Sequence, residues 1–316
     1  MFSPAPPRVT EVAFIKNEGR FLLEWIAYHR LIGVSDFLIY TNDCEDESPA
    51  LLERLEEMGL ATHRVNPREA GKHVQKTALD DAMRHPLVTN ADWVLQIDPD
   101  EFLVIKTGNG TIADLISTAP GADIVAVQMR FFGDSGLPRL GDGLVIEQLT
   151  KASEESFAPN GIVKSLGRNG APFIKITANH MPGMEDDTRV RIFNGGGEEV
   201  PPPPTGTQRF RVMPEGSRSM VFAQLNHYAV RTFADYRAKK HRGTAADNDK
   251  KLTVDYWNQR NRNEVEDLTI APHIPAVKAL MAEWLEDPVL CARNRRCFEA
   301  YAEIVRKAQG LLPDPK

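Results

Sequence analysis

Between residues 9 and 133, short apolar runs alternate with segments in which apolar positions recur at helical spacing. The apolar runs predict strands at residues 9–15, 37–40, 60–65, 93–97 and 124–129. The helical spacing predicts helices at residues 21–32, 48–58, 74–84 and 111–117. This alternation favours right-handed βαβ units, and therefore an α/β fold with a doubly wound, mostly parallel sheet.

After residue 133 the pattern is less regular, and helical spacing dominates the last quarter of the chain. Residues 195–210 include eight glycines and prolines, which predict a surface loop. Apolar runs predict strands on either side of this loop, at 173–176 and 220–225. Helical spacing predicts four further helices, at 233–242, 254–262, 274–285 and 289–311. We therefore predict a main domain at residues 8–243 and a C-terminal helical extension at 244–316 that packs on it.

The composition is that of an ordinary globular protein, with 42% hydrophobic and 26% charged residues among 316. The net charge of −6 gives the surface as a whole no attraction for nucleic acid, so any anion site must be local. Three scattered cysteines argue against a disulfide framework and indicate a reducing compartment. No apolar run reaches the roughly 20 residues that span a bilayer. We expect a cytoplasmic protein.

Two carboxylates follow directly on the predicted strand at 93–97. Ligands of open α/β sheets bind at the carboxyl ends of strands, so Asp98 and Asp100 are expected at the mouth of the crevice. Side chains two positions apart in an extended segment point the same way, which lets both carboxylates share one Mg²⁺ or Mn²⁺. The remaining coordination positions suit the diphosphate oxygens of a nucleotide substrate. The alternative is a solvated acidic turn after a strand.

A local excess of basic residues lies within residues 227–251. This segment contains seven Lys or Arg residues and three Asp residues, in an otherwise acidic chain. Lys239 and Arg242 are three positions apart on one predicted helix face, which suits contact with a diphosphate, and the guanidinium offers bidentate geometry. The alternative is a solvated basic helix.

A glycine pattern at residues 108–113 suggests a different class of protein. Gly108 and Gly110, followed by Ala113, fit the Gly-x-Gly-x-x-Ala fingerprint of dinucleotide-dependent oxidoreductases. That fingerprint normally follows the first strand of its domain, whereas four predicted strands precede it here. Thr111 and Asp114 also form a capping box, which explains the helix start without a ligand. We keep this oxidoreductase function as an alternative.

Several short motifs together resemble glycosyltransferases with a GT-A fold, in particular family 92 and the related family 2-like bacterial enzymes. The matching segments are FIKNE at 14–18, IYTND at 39–43, IDPDEF at 97–102, FFGDSG at 131–136, HMP at 180–182 and NHY at 226–228. The resemblance covers about residues 9–243, in the same order and with compatible spacing. It implies transfer of a sugar from a nucleotide diphosphate donor, with UDP as the expected nucleotide, to an acceptor hydroxyl.

The resemblance also implies roles for individual residues. Asn17 and Glu18 at the end of the first strand, and Asp43 at the end of the second, would contact the nucleoside of the donor. Asp98 and Asp100 would hold the metal, Mn²⁺ or Mg²⁺, with His227 as third ligand. The residues around Asp43 depart from the Ser-rich form usual in the family, so the acid that contacts the ribose stays open.

Inverting families use a carboxylate to deprotonate the acceptor hydroxyl. Asp134 follows the last predicted parallel strand between glycines and is our first candidate for this base. Asp186 and Asp187 are the alternative, because inverting family 2 enzymes place the base in a later acidic pair. Lys164 and His180 are candidates for the acceptor side. A non-catalytic sugar-binding protein of the same fold remains open.

The acceptor expected for a cytoplasmic enzyme of this kind is a growing surface glycan at the inner membrane face, with the protein peripheral to that membrane. Polysaccharide biosynthesis is the corresponding process. Nothing in the sequence indicates a nucleic-acid partner.

Overall fold

The computed structural model describes residues 5–68, 74–171, 173–175, 180–184, 190–201, 211–245 and 252–312. The strands are β1 Val9–Ile15, β2 Asp36–Thr41, β3 Thr62–Val65, β4 Trp93–Gln96, β5 Glu101–Ile105, β6 Ile124–Phe131, β7 Lys151–Ala152, β8 Val163–Arg168, β9 Phe173–Lys175, β10 Gly183–Met184, β11 Ile192–Asn194, β12 Glu199–Val200, β13 Ala223–His227 and β14 Val265–Glu266. The helices are α1 Gly19–Leu31, α2 Ser48–Glu57, α3 Val74–Ala82, α4 Pro86–Thr89, α5 Ile112–Ser117, α6 Val145–Gln148, α7 Phe233–Arg242, α8 Val254–Arg260, α9 Ile274–Trp284 and α10 Pro288–Lys307.

The main sheet has the strand order β12-β11-β6-β8-β4-β1-β2-β3. Strands β3, β2, β1 and β4 are parallel neighbours, and β8 runs antiparallel between β4 and β6. The predicted α/β class with a mostly parallel sheet is therefore confirmed. The strand β8 was not predicted. It lies between β4 and β6, so β6, the last strand of the predicted parallel series, is parallel to β4 but not adjacent to it.

Helices cover both faces of the sheet because the side chains of β1, an interior strand, alternate between two cores. Ala13 and Ile15 of β1 belong to the core that contains α1 and α2. Val12 and Phe14 point to the opposite face, where α3 packs. This period of two, with apolar residues on both faces, is what a doubly wound sheet requires.

A second ribbon carries residues from distant parts of the chain to the carboxyl edge of the sheet. Strand β13 pairs in parallel with the end of β6 and antiparallel with β5. Its register sets His227 opposite Glu101 on one side and Phe131 on the other. The β5 and β13 ribbon therefore extends the sheet directly beside the loop that follows β4.

The C-terminal helices α9 and α10 pack against α1, α2 and α7. The start of α1 comes so close to α10 that a Cβ atom at Gly19 would lie 2.6 Å from the Sγ atom of Cys297. The hydroxyl of Tyr301 donates a hydrogen bond of 2.8 Å to Asp235 in α7. The predicted boundary after residue 243 stays a prediction. In the part of the chain that the structure describes, no helix is long and apolar enough to cross a membrane.

The predicted loop at 195–210 is only partly described. Strand β12 lies inside it at Glu199–Val200 and forms a hairpin with β11. Residues 202–210 lie outside the described residues.

Candidate active site

A cavity of about 270 Å³ opens at the carboxyl ends of β1, β4 and β6, where β8 begins. Its lining is unusually rich in ionisable side chains of both signs. The carboxylates and basic residues that line it are Glu18, Asp98, Asp100, Glu101, Lys16, Lys164, Arg211, Lys239, Arg242 and Arg260, together with His180 and His227. The position matches the edge at which open α/β sheets bind ligands.

Asp98 follows β4 and faces a buried lysine from the antiparallel strand β8. The Nζ atom of Lys164 lies 3.0 Å from Oδ2 of Asp98 and 3.3 Å from Oε2 of Glu101. Burial alone lowers the pKa of Lys164, but the two carboxylates outweigh this effect and raise it above the usual range. Lys164 is therefore a fixed cation, with 2% of its side chain exposed.

Asp100 faces a second lysine and an imidazole. The Nζ atom of Lys239 lies 2.7 Å from its Oδ2, and Nε2 of His227 lies 3.8 Å from its Oδ1. Burial alone raises the pKa of Asp100, but the charge of Lys239, with Arg231 also contributing, holds it well below the usual range. Asp100 is consequently ionised at neutral pH.

His227 is neutral in this site. Burial lowers its pKa to about 4, and its Nδ1 atom is buried with no hydrogen-bond partner among the described residues. Its Nε2 atom faces Asp100 and is 4.0 Å from Oε1 of Glu101. A neutral imidazole beside a carboxylate is a competent ligand for a divalent cation.

Asp98, Asp100 and His227 fit a metal ion that takes most of its ligands from a bound substrate. Within the described ranges, no three His, Cys, Asp or Glu side chains converge closely enough to hold a metal ion by themselves. Lysines pair with one oxygen of Asp98 and one of Asp100, and the other oxygen of Asp100 faces His227. Mg²⁺ often binds one or two carboxylates and takes its other ligands from phosphates and water. The donor set suits that kind of ion.

Glu18 lines the cavity as the centre of a buried ion-pair cluster. Its carboxylate accepts a hydrogen bond of 3.1 Å from Nη1 of Arg231 and another from Nη2 of Arg242. Arg242 also donates to the backbone carbonyl of Lys16. Arg242 therefore lines the cavity, and its ion pair with Glu18 fixes the orientation of the Arg242 guanidinium at the end of β1.

Asn17 and Asp43 do not line this cavity, but they shape the loops that border it. Both have positive φ angles, 55° and 46°, in the left-handed region that Asn and Asp tolerate better than most residues. The side-chain oxygen of Asn17 accepts hydrogen bonds from the backbone N–H groups of Glu45 and Asp46. Asp43 pairs with Arg68 at 3.0 Å. Their predicted contacts with a nucleoside stay predictions.

Asp134 lies in a neighbouring pocket, on the other side of α8. Its carboxylate accepts hydrogen bonds from the backbone N–H of Gly136 and from the side-chain amides of Asn261 and Asn263, at 2.9 to 3.1 Å. It thereby ties the turn after β6 to the segment after α8. The alternative candidates for the base, Asp186 and Asp187, lie outside the described residues.

Asp134→Asn is expected to lower the free energy of unfolding by about 1–3 kcal/mol. All three groups that face the carboxylate are N–H donors, so the amide of Asn brings a donor against a donor. Urea denaturation measures the change. The exposed Asp142→Asn is the matched control and should stay within about 0.5 kcal/mol of the wild type. Equal stability of the two variants would contradict this role.

Three cationic lining residues were not predicted as site residues: Lys16, Arg211 and Arg260. Each comes from a different segment, and no local pattern indicates which side of its segment faces the cavity. Lys16 alone could have been identified from the sequence, because it directly follows a predicted strand and so lies at the carboxyl edge of the sheet.

The glycine pattern at 108–113 has a structural explanation. The capping box predicted for Thr111 and Asp114 is present at the start of α5. A Cβ atom at Gly108 would lie 2.3 Å from the carboxylate of Asp114, so this glycine is needed for the loop to close on that cap. No observation favours a dinucleotide here.

Comparison with known proteins agrees with the resemblance inferred from the motifs. The model of glycosyltransferase family 92 matches residues 12–136, which include the second half of β1, all of β2 to β6, and both Asp98 and Asp100. A glycosyltransferase family 92 protein from Ricinus communis is 30% identical over 141 residues, which cover 42% of this chain and 24% of that protein. One from Oryza sativa subsp. japonica is 30% identical over 135 residues, which cover 40% and 21%. The predicted resemblance to this family is confirmed over that region, and the chain spans about a quarter of the length of these relatives.

Two solved structures show partial similarity to this chain. TarS of S. aureus (residues 1–349), in complex with UDP-GlcNAc, aligns with 14% identity and a TM-score of 0.30 over 51% of this chain and 45% of that one. Glucosyl-3-phosphoglycerate synthase from Mycobacterium tuberculosis, in complex with Mn²⁺, UDP and glucosyl-3-phosphoglycerate, aligns with 18% identity and a TM-score of 0.27 over 39% and 44%.

Proposed function

We propose that the protein is a glycosyltransferase that moves a sugar from a nucleotide diphosphate donor, UDP-linked, to an acceptor hydroxyl with inversion. The observation that carries the proposal is the cavity in which Asp98, Asp100 and His227 meet Glu18, Lys239 and Arg242 at the carboxyl edge of the sheet. Glu18, Asp98 and Asp100 belong to the segment that matches family 92, whereas His227, Lys239 and Arg242 lie beyond it. A site of this kind combines ligands for a cation with cations for a diphosphate.

The chain's own residues supply the charge that a departing diphosphate requires. Lys239 and Arg242 lie on one face of α7, where their ammonium and guanidinium groups can bind the phosphate oxygens. Asp100 holds Lys239 in position through the ion pair of 2.7 Å. A bound Mn²⁺ or Mg²⁺, held by Asp98, Asp100 and His227, would add Lewis-acid stabilisation of the developing negative charge.

The nucleoside of the donor would lie along the ends of β1 and β2, where Glu18 borders the cavity and Asn17 and Asp43 form the adjoining loops. A carboxylate or amide at a strand end accepts hydrogen bonds from ribose hydroxyl groups. This part of the proposal rests on the resemblance.

For the general base, the proposal keeps Asp134 and, as the alternative, Asp186 or Asp187. The base must come within hydrogen-bond reach of the acceptor hydroxyl. The acceptor is a glycan or another hydroxyl compound, and a membrane-associated glycan is part of the proposal. If Asp134 is the base, Asp134→Asn lowers kcat and leaves the affinity for UDP unchanged.

Isothermal titration of the full-length protein with UDP, GDP, CDP, NAD and NADP, each with and without Mn²⁺, tests the proposed function. We expect UDP to bind, and to bind more tightly when Mn²⁺ is present, because the diphosphate and the metal ion would both lie beside Asp100 and His227. Binding of NAD or NADP without metal would contradict the proposal in favour of an oxidoreductase. If no nucleotide binds, the proposal is contradicted and a non-catalytic protein of this fold is the remaining hypothesis.

A further inference from the structure

The cations that line the cavity fall into two groups. Those of the first group each have a carboxylate partner: Lys164 pairs with Asp98 and Glu101, Lys239 with Asp100, and Arg242 with Glu18. The second group consists of Lys16, Arg211 and Arg260, for which the described residues provide no carboxylate within ion-pair distance. The lining therefore carries more positive than negative charge, and the excess resides in this second group.

Arg260 is the member of this group with the clearest need for a ligand. It ends α8, and its guanidinium lies 4.3 Å from the ring centroid of Phe131. Its Nε and Nη1 atoms are buried, and neither donates a hydrogen bond to any group in the described part of the chain. Stacking on a ring holds the cation in place but satisfies no N–H group. Buried donors of this kind normally have a partner, because leaving one unsatisfied costs about 1–3 kcal/mol.

Arg260 lies on the side of the cavity away from the expected nucleoside. Phe131 is at the end of β6, whereas Lys16 and Glu18 follow β1. Strands β8 and β4 separate β6 from β1, so about 14 Å, or three strand spacings, divides the two sides. Asp98 and Asp100, which follow β4, lie between them. If the diphosphate binds near these carboxylates, the part of the cavity beside β6 is free for the acceptor.

We propose that the acceptor is a sugar with an oxyanion, a phosphate or a carboxylate, and that Arg260 binds this group with help from Arg211. The proposal rests on the proposed function, since it assigns the second substrate of the same cavity. The planar guanidinium matches both kinds of oxyanion in bidentate geometry. Arg211 lines the same cavity beside the start of β8, where its backbone carbonyl accepts a hydrogen bond from Val163.

Titration of the full-length protein, saturated with UDP and Mn²⁺, with glucose 6-phosphate and with glucuronate tests this inference, and glucose is the neutral comparison. Saturation fills the diphosphate position first. We expect at least one acidic sugar to bind at least tenfold more tightly than glucose. Arg260→Met should remove this preference and leave the affinity for UDP unchanged. The preferred acid identifies the oxyanion as phosphate or carboxylate.

Arg262→Met is the matched control. Arg262 lies two residues further on, stacks on Phe157 and pairs with Glu264, and it does not line the cavity. Equal binding of all three sugars, or an unchanged preference in Arg260→Met, would overturn the inference. Weaker binding of UDP in Arg260→Met would overturn it as well, by assigning Arg260 to the donor. Failure of the wild type to bind UDP would instead contradict the proposed function.

Discussion

Asp100→Asn is expected to lower kcat/KM for sugar transfer by about 10³-fold while the chain remains folded. The ionised carboxylate faces both Lys239 and the neutral imidazole of His227. An amide does not neutralise the charge of Lys239, and it binds a divalent cation more weakly than a carboxylate does. Lys239 is partly exposed, so water can solvate its ammonium group in the variant. Release of nucleoside diphosphate measures the transfer, and the melting temperature reports the fold.

The exposed Glu53→Gln removes the same charge from α2, away from the cavity, and is the control. Its kcat/KM should equal that of the wild type within a factor of two. A folded Asp100→Asn variant with normal kcat/KM would remove Asp100 from the reaction. Titration with Mn²⁺ in the presence of UDP then separates the two roles of this carboxylate: loss of metal binding marks a ligand, and retained metal binding marks a residue that orients Lys239.

The fold was largely predictable because its signals are local. Strands β1, β2 and β4 are mostly apolar, and the helices between the first strands have their own periodicity. Strands β1, β2 and β3 follow one another in the sheet as they do in the sequence, whereas β4 lies on the other side of β1. Strand β8 has no such signal, since only two residues of its sequence VKSLGR, Val163 and Leu166, have apolar side chains. It occupies the centre of the sheet because its partners β4 and β6 are strongly apolar, and because Lys164 finds two carboxylates there.

The position of Asp98 and Asp100 was predictable, whereas their ion pairs with Lys164 and Lys239 were not, although both lysines were candidate site residues. Asp98 and Asp100 directly follow a strand, so their position is fixed by the short segment that contains them. Their lysine partners lie 66 and 139 residues further along the chain, on β8 and α7. Pairing over such distances depends on the order of strands in the sheet, which periodicity does not determine.

Asp134 shows a second limit of local patterns. A glycine-flanked acid after a strand predicts a candidate for the base, and this role stays a prediction. The pattern does not give the direction of the side chain, which depends on the turn that follows. Ser135 adopts a positive φ of 52°, and the asparagines at 261 and 263 draw the carboxylate into their own network. Those asparagines come from a helix end more than 120 residues away.

Glu18→Gln is expected to reduce the free energy of unfolding by about 3–5 kcal/mol, because it leaves two buried arginines without a counter-charge. The side chains of Glu18, Arg231 and Arg242 are 7%, 6% and 3% exposed. Water therefore cannot replace the lost carboxylate. Denaturation in guanidinium chloride, followed by intrinsic fluorescence, measures the change.

An exposed ion pair of the same chemistry provides the control. Arg191 and Glu199 pair at 2.8 Å, but 47% and 49% of their side chains are exposed, so Glu199→Gln should cost less than about 1 kcal/mol. Equal losses in the two variants would show that burial does not set the strength of the Glu18 cluster.

The double variant Glu18→Gln with Arg231→Met tests the cause of the loss. If unpaired buried charge is responsible, removal of Arg231 recovers part of the stability, because one fewer cation is left without a partner. If the lost packing of Glu18 is responsible, the two changes add. The double variant also separates two roles of the Glu18 cluster, which are stabilising the fold and orienting Arg242. Recovery of stability without recovery of UDP binding would show that the fold is restored while Arg242 is no longer oriented by the carboxylate.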